Sequence, residues 1–290
     1  MTDRLSGRRL TRLTPLVCAG FLAASSSAAF AGQAQIAQTQ TQTAPSPETL
    51  DWKVASAFGS RLPQLGSLGQ RFVEELAAVS GGAIRLSFYE PNSLVAPLDM
   101  FDAVAAGKID AAWSKADFWV GKDEAFALFS AVPFGPRTAE YTAWYYKGGG
   151  AALMDDLYAD HGLKSLICGV TAPEASGWFR EEITSLEDFR GLKMRFTGLG
   201  AKVMEKLGVV TQGLGGAATL SALQRGDLDA TEFSMPAIDR NLGFYRVAKH
   251  YYFPGWHQQA TMFDLMINLD LWESLDDVTK AQIETVCDAA

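Results

Sequence analysis

Two hydrophobic periods alternate along residues 50–290. Residues 51–58, "DWKVASAF", form a short apolar-rich stretch ending at Gly59, which predicts a strand. In 66–82 the apolar residues Phe72, Leu76 and Val79 recur at helical spacing, and Gly81-Gly82 closes the run. Residues 83–90 alternate as a strand, 96–110 read as a helix running into a glycine stop, and a third strand starts at 111. This β-α-β-α-β order predicts a parallel sheet. Two helical pieces follow around Gly148–Gly150, then a buried strand at 163–170.

In the second half, 191–198 reads "GLKMRFTG": Leu192, Met194 and Phe196 alternate with Lys193, Arg195 and Thr197. That is a strand with one apolar and one polar face. A helix at 198–208, a strand at 209–214, a helix over 218–230 and a short strand at 231–236 come next. Residues 237–253 read as one helix and 254–272 as extended. The last segment, 274–290, reads as a helix with Ser274 as N-cap and Asp277 three residues on. Residues 100–113 and 219–233 echo each other: helix, glycine, then apolar-Asp-Ala entering a strand. Matched halves predict a two-lobed α/β fold with its ligand cleft at the carboxyl ends of the strands.

The first residues break both periods. Arg4, Arg8, Arg9 and Arg12 precede a short, Ser/Ala-diluted apolar run that closes on Ala29-Phe30-Ala31. This is the pattern of a secretory signal peptide over 1–31, too short for a membrane span. Arg8-Arg9 fits the twin-arginine consensus only loosely, so the general secretory route to the periplasm is expected. Residues 32–49 are rich in Gln, Thr, Ala and Pro and read as a disordered leader. The net charge of −8 becomes −11 once four Arg and one Asp leave with the signal, which argues against a nucleic-acid partner. Of the three cysteines, Cys168 and Cys287 remain; one distant pair argues only weakly for a disulfide.

Catalytic motifs are not found. The three histidines, His161, His250 and His257, join no HExxH, CxxC or GxSxG pattern, and "GLGGAA" at 213–218 lacks the phosphate-loop lysine. A binding protein is therefore expected over an enzyme. The rivals are a carrier for an ATP-driven importer of another organic acid, and a secreted α/β enzyme using Glu174 or Glu232 as base.

Five stretches, 134–150, 165–171, 177–198, 222–233 and 242–256, have an order and spacing that resembles the solute-binding proteins of tripartite ATP-independent periplasmic (TRAP) transporters. The branch they resemble binds 2-oxo acids and related monocarboxylates, and the resemblance covers about residues 51–290. It implies a periplasmic-binding-protein-like fold whose lobes are joined by hinge crossings, with lobe one over 50–175, lobe two over 176–256 and a return at 257–290. It implies a small organic acid as ligand and the TRAP membrane permease as partner, with no covalent chemistry and no organic cofactor. Arg195 becomes the residue that grips the ligand carboxylate, through the paired donors of a guanidinium. Lys193 stays a solvated charge. Arg180 matches a second family position and is open between ligand contact and surface ion pair.

Glu232 and Phe233 match an acidic-aromatic pair that, in this branch, holds a cation shared with the ligand. Glu174 stands where similar proteins carry Gln, and Gln258 where some carry Glu. Arg195 alone cannot balance Glu174, Glu232 and a ligand carboxylate, so a Na or Ca ion, a protonated Glu174 or an outward Glu174 is required. The aromatic residues Phe58, Phe118, Trp119, Trp178 and Trp256 are expected to wall the pocket. Relatives continue with further C-terminal helices that in some mediate homodimers. Here the chain stops at Ala290, so Val278, Ile283 and Val286 are expected to lack partners and the protein to be less stable than a longer relative.

Overall fold

Among the described residues, ten strands sort into two five-stranded sheets. They are β1 (Leu50–Ser56), β2 (Ile84–Tyr89), β3 (Ala111–Ser114), β4 (Leu163–Thr171), β5 (Gly177–Phe179), β6 (Lys193–Arg195), β7 (Val210–Gln212), β8 (Ala230–Thr231), β9 (His250–Tyr252) and β10 (Thr261–Asn268). The computed structural model describes residues 49–290. The expected signal peptide, and the leader up to its last residue, lie outside them.

The first sheet has the order β2-β1-β3-β10-β4, and the second β7-β6-β8-β5-β9. Strands β2, β1 and β3 run parallel, as do β7, β6 and β8. The fourth strand is antiparallel to its neighbours in both sheets: β10 in the first and β5 in the second. The three strands expected to be parallel are parallel, and β10 makes the complete sheet mixed. The two orders are the same order with the chain entering differently, which explains the internal echo: its two copies feed the equivalent strands β3 and β8. The mixed α/β class with two lobes is as the sequence implies. Segments 172–176 and 253–260 carry the chain between the sheets.

These two crossings bond to each other. Glu174 N donates to Gln258 O (3.0 Å) and Gly255 N to Glu174 O (2.9 Å). A Cβ at Gly255 would lie 2.5 Å from Glu174 O, so only glycine permits this approach.

The first sheet carries the larger core. Every residue of β10 is buried, and the helix Ser67–Val79 buries Phe72 and Leu76 completely. Burying such a side chain contributes about 1.5–3 kcal/mol. One polar node sits inside: Asp264 on β10 accepts from Ser114 on β3 (3.1 Å), from Ser165 on β4 (2.5 Å) and from Tyr158 (2.7 Å). The second lobe has a smaller core around Phe179, Met194, Phe196 and Met204.

Several local expectations are corrected. The helix read over 237–253 ends at Leu242, where Gly243 turns at φ 79°, and His250–Tyr252 pairs with β5 as a strand. The last helix, Asp277–Ala289, is capped by Asp276, whose carboxylate accepts from the Val278 and Thr279 amides; Ser274 ends the preceding helix. Ile283 and Val286 are buried, and Val278 alone of the three is exposed. Cys168 on β4 and Cys287 on the last helix form a disulfide. Sequence distance hid this, because the helix docks on β4 only once the sheet is built.

The disulfide closes a loop of 119 residues. Chain entropy sets an upper value of about 5 kcal/mol for a loop of that length, and such bridges typically contribute about 2–4 kcal/mol. Cys168→Ser, or reduction, should lower the unfolding free energy by that amount in a urea titration without moving the ligand site.

Candidate functional site

Arg195 ends β6 and Glu232 follows β8, so both stand at the carboxyl ends of parallel strands in lobe two. Their side chains are buried and paired, Arg195 Nη1 to Glu232 Oε1 at 2.6 Å. Nη1 also donates to Glu232 O (3.0 Å) and Nε to Leu214 O (3.0 Å). The guanidinium lies 4.9 Å over the Phe233 ring. The expected fork is therefore partly taken up by the protein. Nη2 has no hydrogen-bond partner among the described residues.

The crossings supply the rest. Glu174 is on the first, His257 and Gln258 on the second, and all three are buried. His257 Nε2 lies 3.6 Å from Glu232 Oε2 and 3.9 Å from Glu174 Oε2. Ligand atoms of Glu174, Glu232 and His257 lie within 4.8 Å of one another. Thr261 holds the other Glu174 oxygen (3.1 Å). Glu174 Oε2, Glu232 Oε2, Gln258 Oε1 and both His257 nitrogens are buried without a hydrogen-bond partner among the described residues. Unpartnered buried acceptors are costly, and the converging Glu174, Glu232 and His257 form a socket for something positive.

The electrostatics separates the two carboxylates. Burial and the facing Glu232 charge push the Glu174 acid well up, against the pull of Lys115. Burial pushes Glu232 up too, but Arg195 and then His257 outweigh it and hold the acid at about 2. Lys115, buried just after β3, brings a second cation from lobe one.

Of the aromatic residues, Phe233 lies under Arg195. With Ala57, Leu62, Pro97, Leu214 and Leu242 it also lines a 540 Å³ cavity between the lobes. Phe58 is buried in the lobe-one core, 6.2 Å from Phe118. Trp119 is fully buried against Phe101 (5.3 Å), a core residue and not a pocket wall. Trp256 packs with Phe134 (5.8 Å) along a separate apolar groove on lobe two. Trp178 stacks on Tyr251 at 3.9 Å and donates to Asp239 (3.1 Å). Arg180 is taken out of the site: it faces Leu228 O (3.1 Å) at the opposite end of β8 from Glu232.

His257 and Lys115 carried no motif and were missed. The available signal was position: Lys115 follows a predicted strand end, and His257 lies between two residues already singled out.

Residues 54–290 match the family described as bacterial extracellular solute-binding protein, family 7 (DctP). The chain belongs to this family. Among its family relatives is a monocarboxylate 2-oxoacid-binding periplasmic protein of Nostoc sp., 34% identical over 85% of this chain and 68% of that one. A TRAP periplasmic solute-binding protein from Pseudoalteromonas atlantica, solved with sodium and pyruvate, is 32% identical with a TM-score of 0.80, covering 83% of this chain and 73% of that one. One from Colwellia psychrerythraea, solved with calcium and pyruvate, is also 32% identical, with a TM-score of 0.79 and the same coverage. Family 7 members are solute-binding proteins, and this fold places the Arg195–Glu232 pair where its two lobes meet the crossings.

Asp239 supports this site from behind. It accepts from Trp178 and Tyr251 at Oδ2 and from Ser234 N at Oδ1. Burial raises its acid to about 7, aided by Glu232 and opposed by the three donors. The unfolded value is about 3.9. The folded chain thus keeps a proton that the unfolded chain releases, and this contribution to stability falls between pH 4 and 7 by at most about 1.4 kcal/mol per unit. Chemical denaturation at pH 5 and pH 7 should show the decline, and Asp239→Asn should flatten it.

Proposed function

We propose that this protein captures a small 2-oxo monocarboxylate in the periplasm, together with a cation, and delivers it to a TRAP membrane permease. The observation that supports this best is the set of buried, unpartnered oxygens beside a half-committed arginine. A 2-oxo acid has three oxygens in a row. One carboxylate oxygen suits the remaining Arg195 Nη2 donor as a charge-assisted hydrogen bond. The other carboxylate oxygen and the 2-oxo group suit a hard cation.

The donor set fits such an ion. Glu232, Glu174 and the Gln258 amide offer oxygen ligands, the Phe233 carbonyl follows Glu232 in the chain, and sodium or calcium takes such ligands. When bound, the ion supplies positive charge that lets Glu174, Glu232 and the ligand carboxylate coexist. The protein's own residues do the remainder: Arg195 orients the acid, Phe233 fixes the guanidinium plane, and the cavity between the lobes admits the acid's apolar end. Closure around it is a hinge motion about the paired crossings, favoured by contacts from both lobes. Capture with release of the unchanged acid, not turnover, is the expected chemistry.

Arg195→Lys keeps the charge but loses the Nε and Nη1 anchors. Pyruvate affinity by calorimetry should fall roughly 10–100-fold, the worth of a charge-assisted hydrogen bond. Unaltered affinity would remove Arg195 from the ligand. Chelator-treated protein should bind pyruvate at least about tenfold more weakly, with Ca²⁺ or Na⁺ restoring it. Full affinity in metal-free protein would rule out the shared cation.

A further inference from the structure

Beside the ligand socket, one buried polar cluster joins the two lobes without belonging to it. Lys115 and Asp117 follow β3 in lobe one, and both are buried. Thr197 follows β6 in lobe two, two residues after Arg195. Its hydroxyl donates to Asp117 Oδ2 at 3.0 Å. Lys115 Nζ lies 3.0 Å from the same oxygen and 3.4 Å from the Thr197 hydroxyl. Ser130 donates to Asp117 Oδ1 at 2.8 Å. On its other side, Thr197 N donates to Glu232 Oε1 (3.3 Å), the oxygen that pairs with Arg195. Four residues therefore link the ligand arginine to the opposite lobe: Arg195, Glu232, Thr197, Asp117.

Three further observations show that this contact is built. Thr197 is the N-cap residue of the helix Gly198–Lys206, yet its side chain makes no cap bond to that helix. A threonine there ordinarily accepts from its own helix amides; this one turns to the other lobe. Gly198 then approaches Asp117 so closely that a Cβ would lie 3.1 Å from the carboxylate, at a φ of +65°. Lys202, one turn along, pairs with Glu124 of lobe one at the surface.

We propose that Asp117 and Thr197 are a closure latch: positioning residues that touch no ligand but set how long the closed, loaded state lasts. The inference rests on reading the cleft as the ligand site. The latch has two satisfied states. Within this cluster, opening breaks only the contacts of the Thr197 hydroxyl, since Lys115 and Ser130 belong to lobe one and stay with Asp117. The freed hydroxyl can then cap its own helix. Neither state strands a buried charge, so the contact can form and break in each cycle at small cost. Because Thr197 also holds Glu232 through its backbone, a filled socket fixes the same residue that closes the lobes.

The test compares Thr197→Val with Thr197→Ser, using pyruvate and Ca²⁺ as probes. Valine keeps the shape and the backbone bond to Glu232 and removes the hydroxyl. In stopped-flow fluorescence, Thr197→Val should speed pyruvate dissociation about tenfold and leave association within about twofold. Thr197→Ser should match the parent in both. An unchanged dissociation rate in Thr197→Val, or equal losses in both variants, overturns the latch. A second readout needs no ligand: spin labels placed one on each lobe report the closed fraction. That fraction should fall in Thr197→Val alone, and no change overturns the latch whether or not pyruvate binds. If the parent protein fails to bind pyruvate while Thr197→Val still opens the lobes, the ligand assignment fails and the latch stands.

Discussion

Everything at the cleft depends on burying the Arg195–Glu232 ion pair. Removing two charges from water costs several kcal/mol each, and their attraction offsets this only with good geometry and full hydrogen bonding. On the arginine side the condition is nearly met: Leu214 O, the Glu232 carbonyl and the Phe233 face all support the guanidinium. On the glutamate side it is not. Glu232 Oε2 is left without a hydrogen-bond partner among the described residues, opposite Glu174 Oε2 and His257. A pair finished on one side and open on the other is poor design for stability and good design for reception. The open side specifies the charge of what completes it.

The fold creates that asymmetry by exchanging strands between lobes. Each lobe is three parallel strands, a fourth antiparallel strand delivered by a crossing, and an edge strand. The crossings must pass the carboxyl ends of β6 and β8, so residues on them meet Arg195 and Glu232 by topology alone. The disulfide leaves this free. Both its cysteines belong to lobe one, where it fastens the last helix to β4 without spanning the cleft.

Periodicity made the elements legible and lost the joints. Strands β1 to β4 and the helix Ser67–Val79 follow the apolar pattern closely, because they pack around a single core. The run 237–253 failed because apolar spacing continues across Gly243, although the chain turns there and pairs Tyr251 beside Trp178. Arg195 was legible only through its neighbours in sequence: alternation placed it on a polar face, whereas the structure buries both faces of β6 at that point. Arg180 shows the limit of that kind of transfer, since one strand's antiparallel direction sends it to the far end of β8. His257 and Lys115 could not be found by pattern, because what makes them matter is proximity to groups 83 and 117 residues away in sequence, Glu174 and Glu232.

The two crossings bring an acid and an amide to the same end of lobe two. Glu174 N bonds to Gln258 O at 3.0 Å, and both side chains are buried with an unpartnered oxygen. One carboxylate and one amide leave the crossings with at most one negative charge for a cation to balance. The carboxylate sits on the crossing that accepts from Thr261 and faces His257. Charge at the centre of a closed cleft is the constrained quantity, because an uncompensated unit there costs more than any single contact returns.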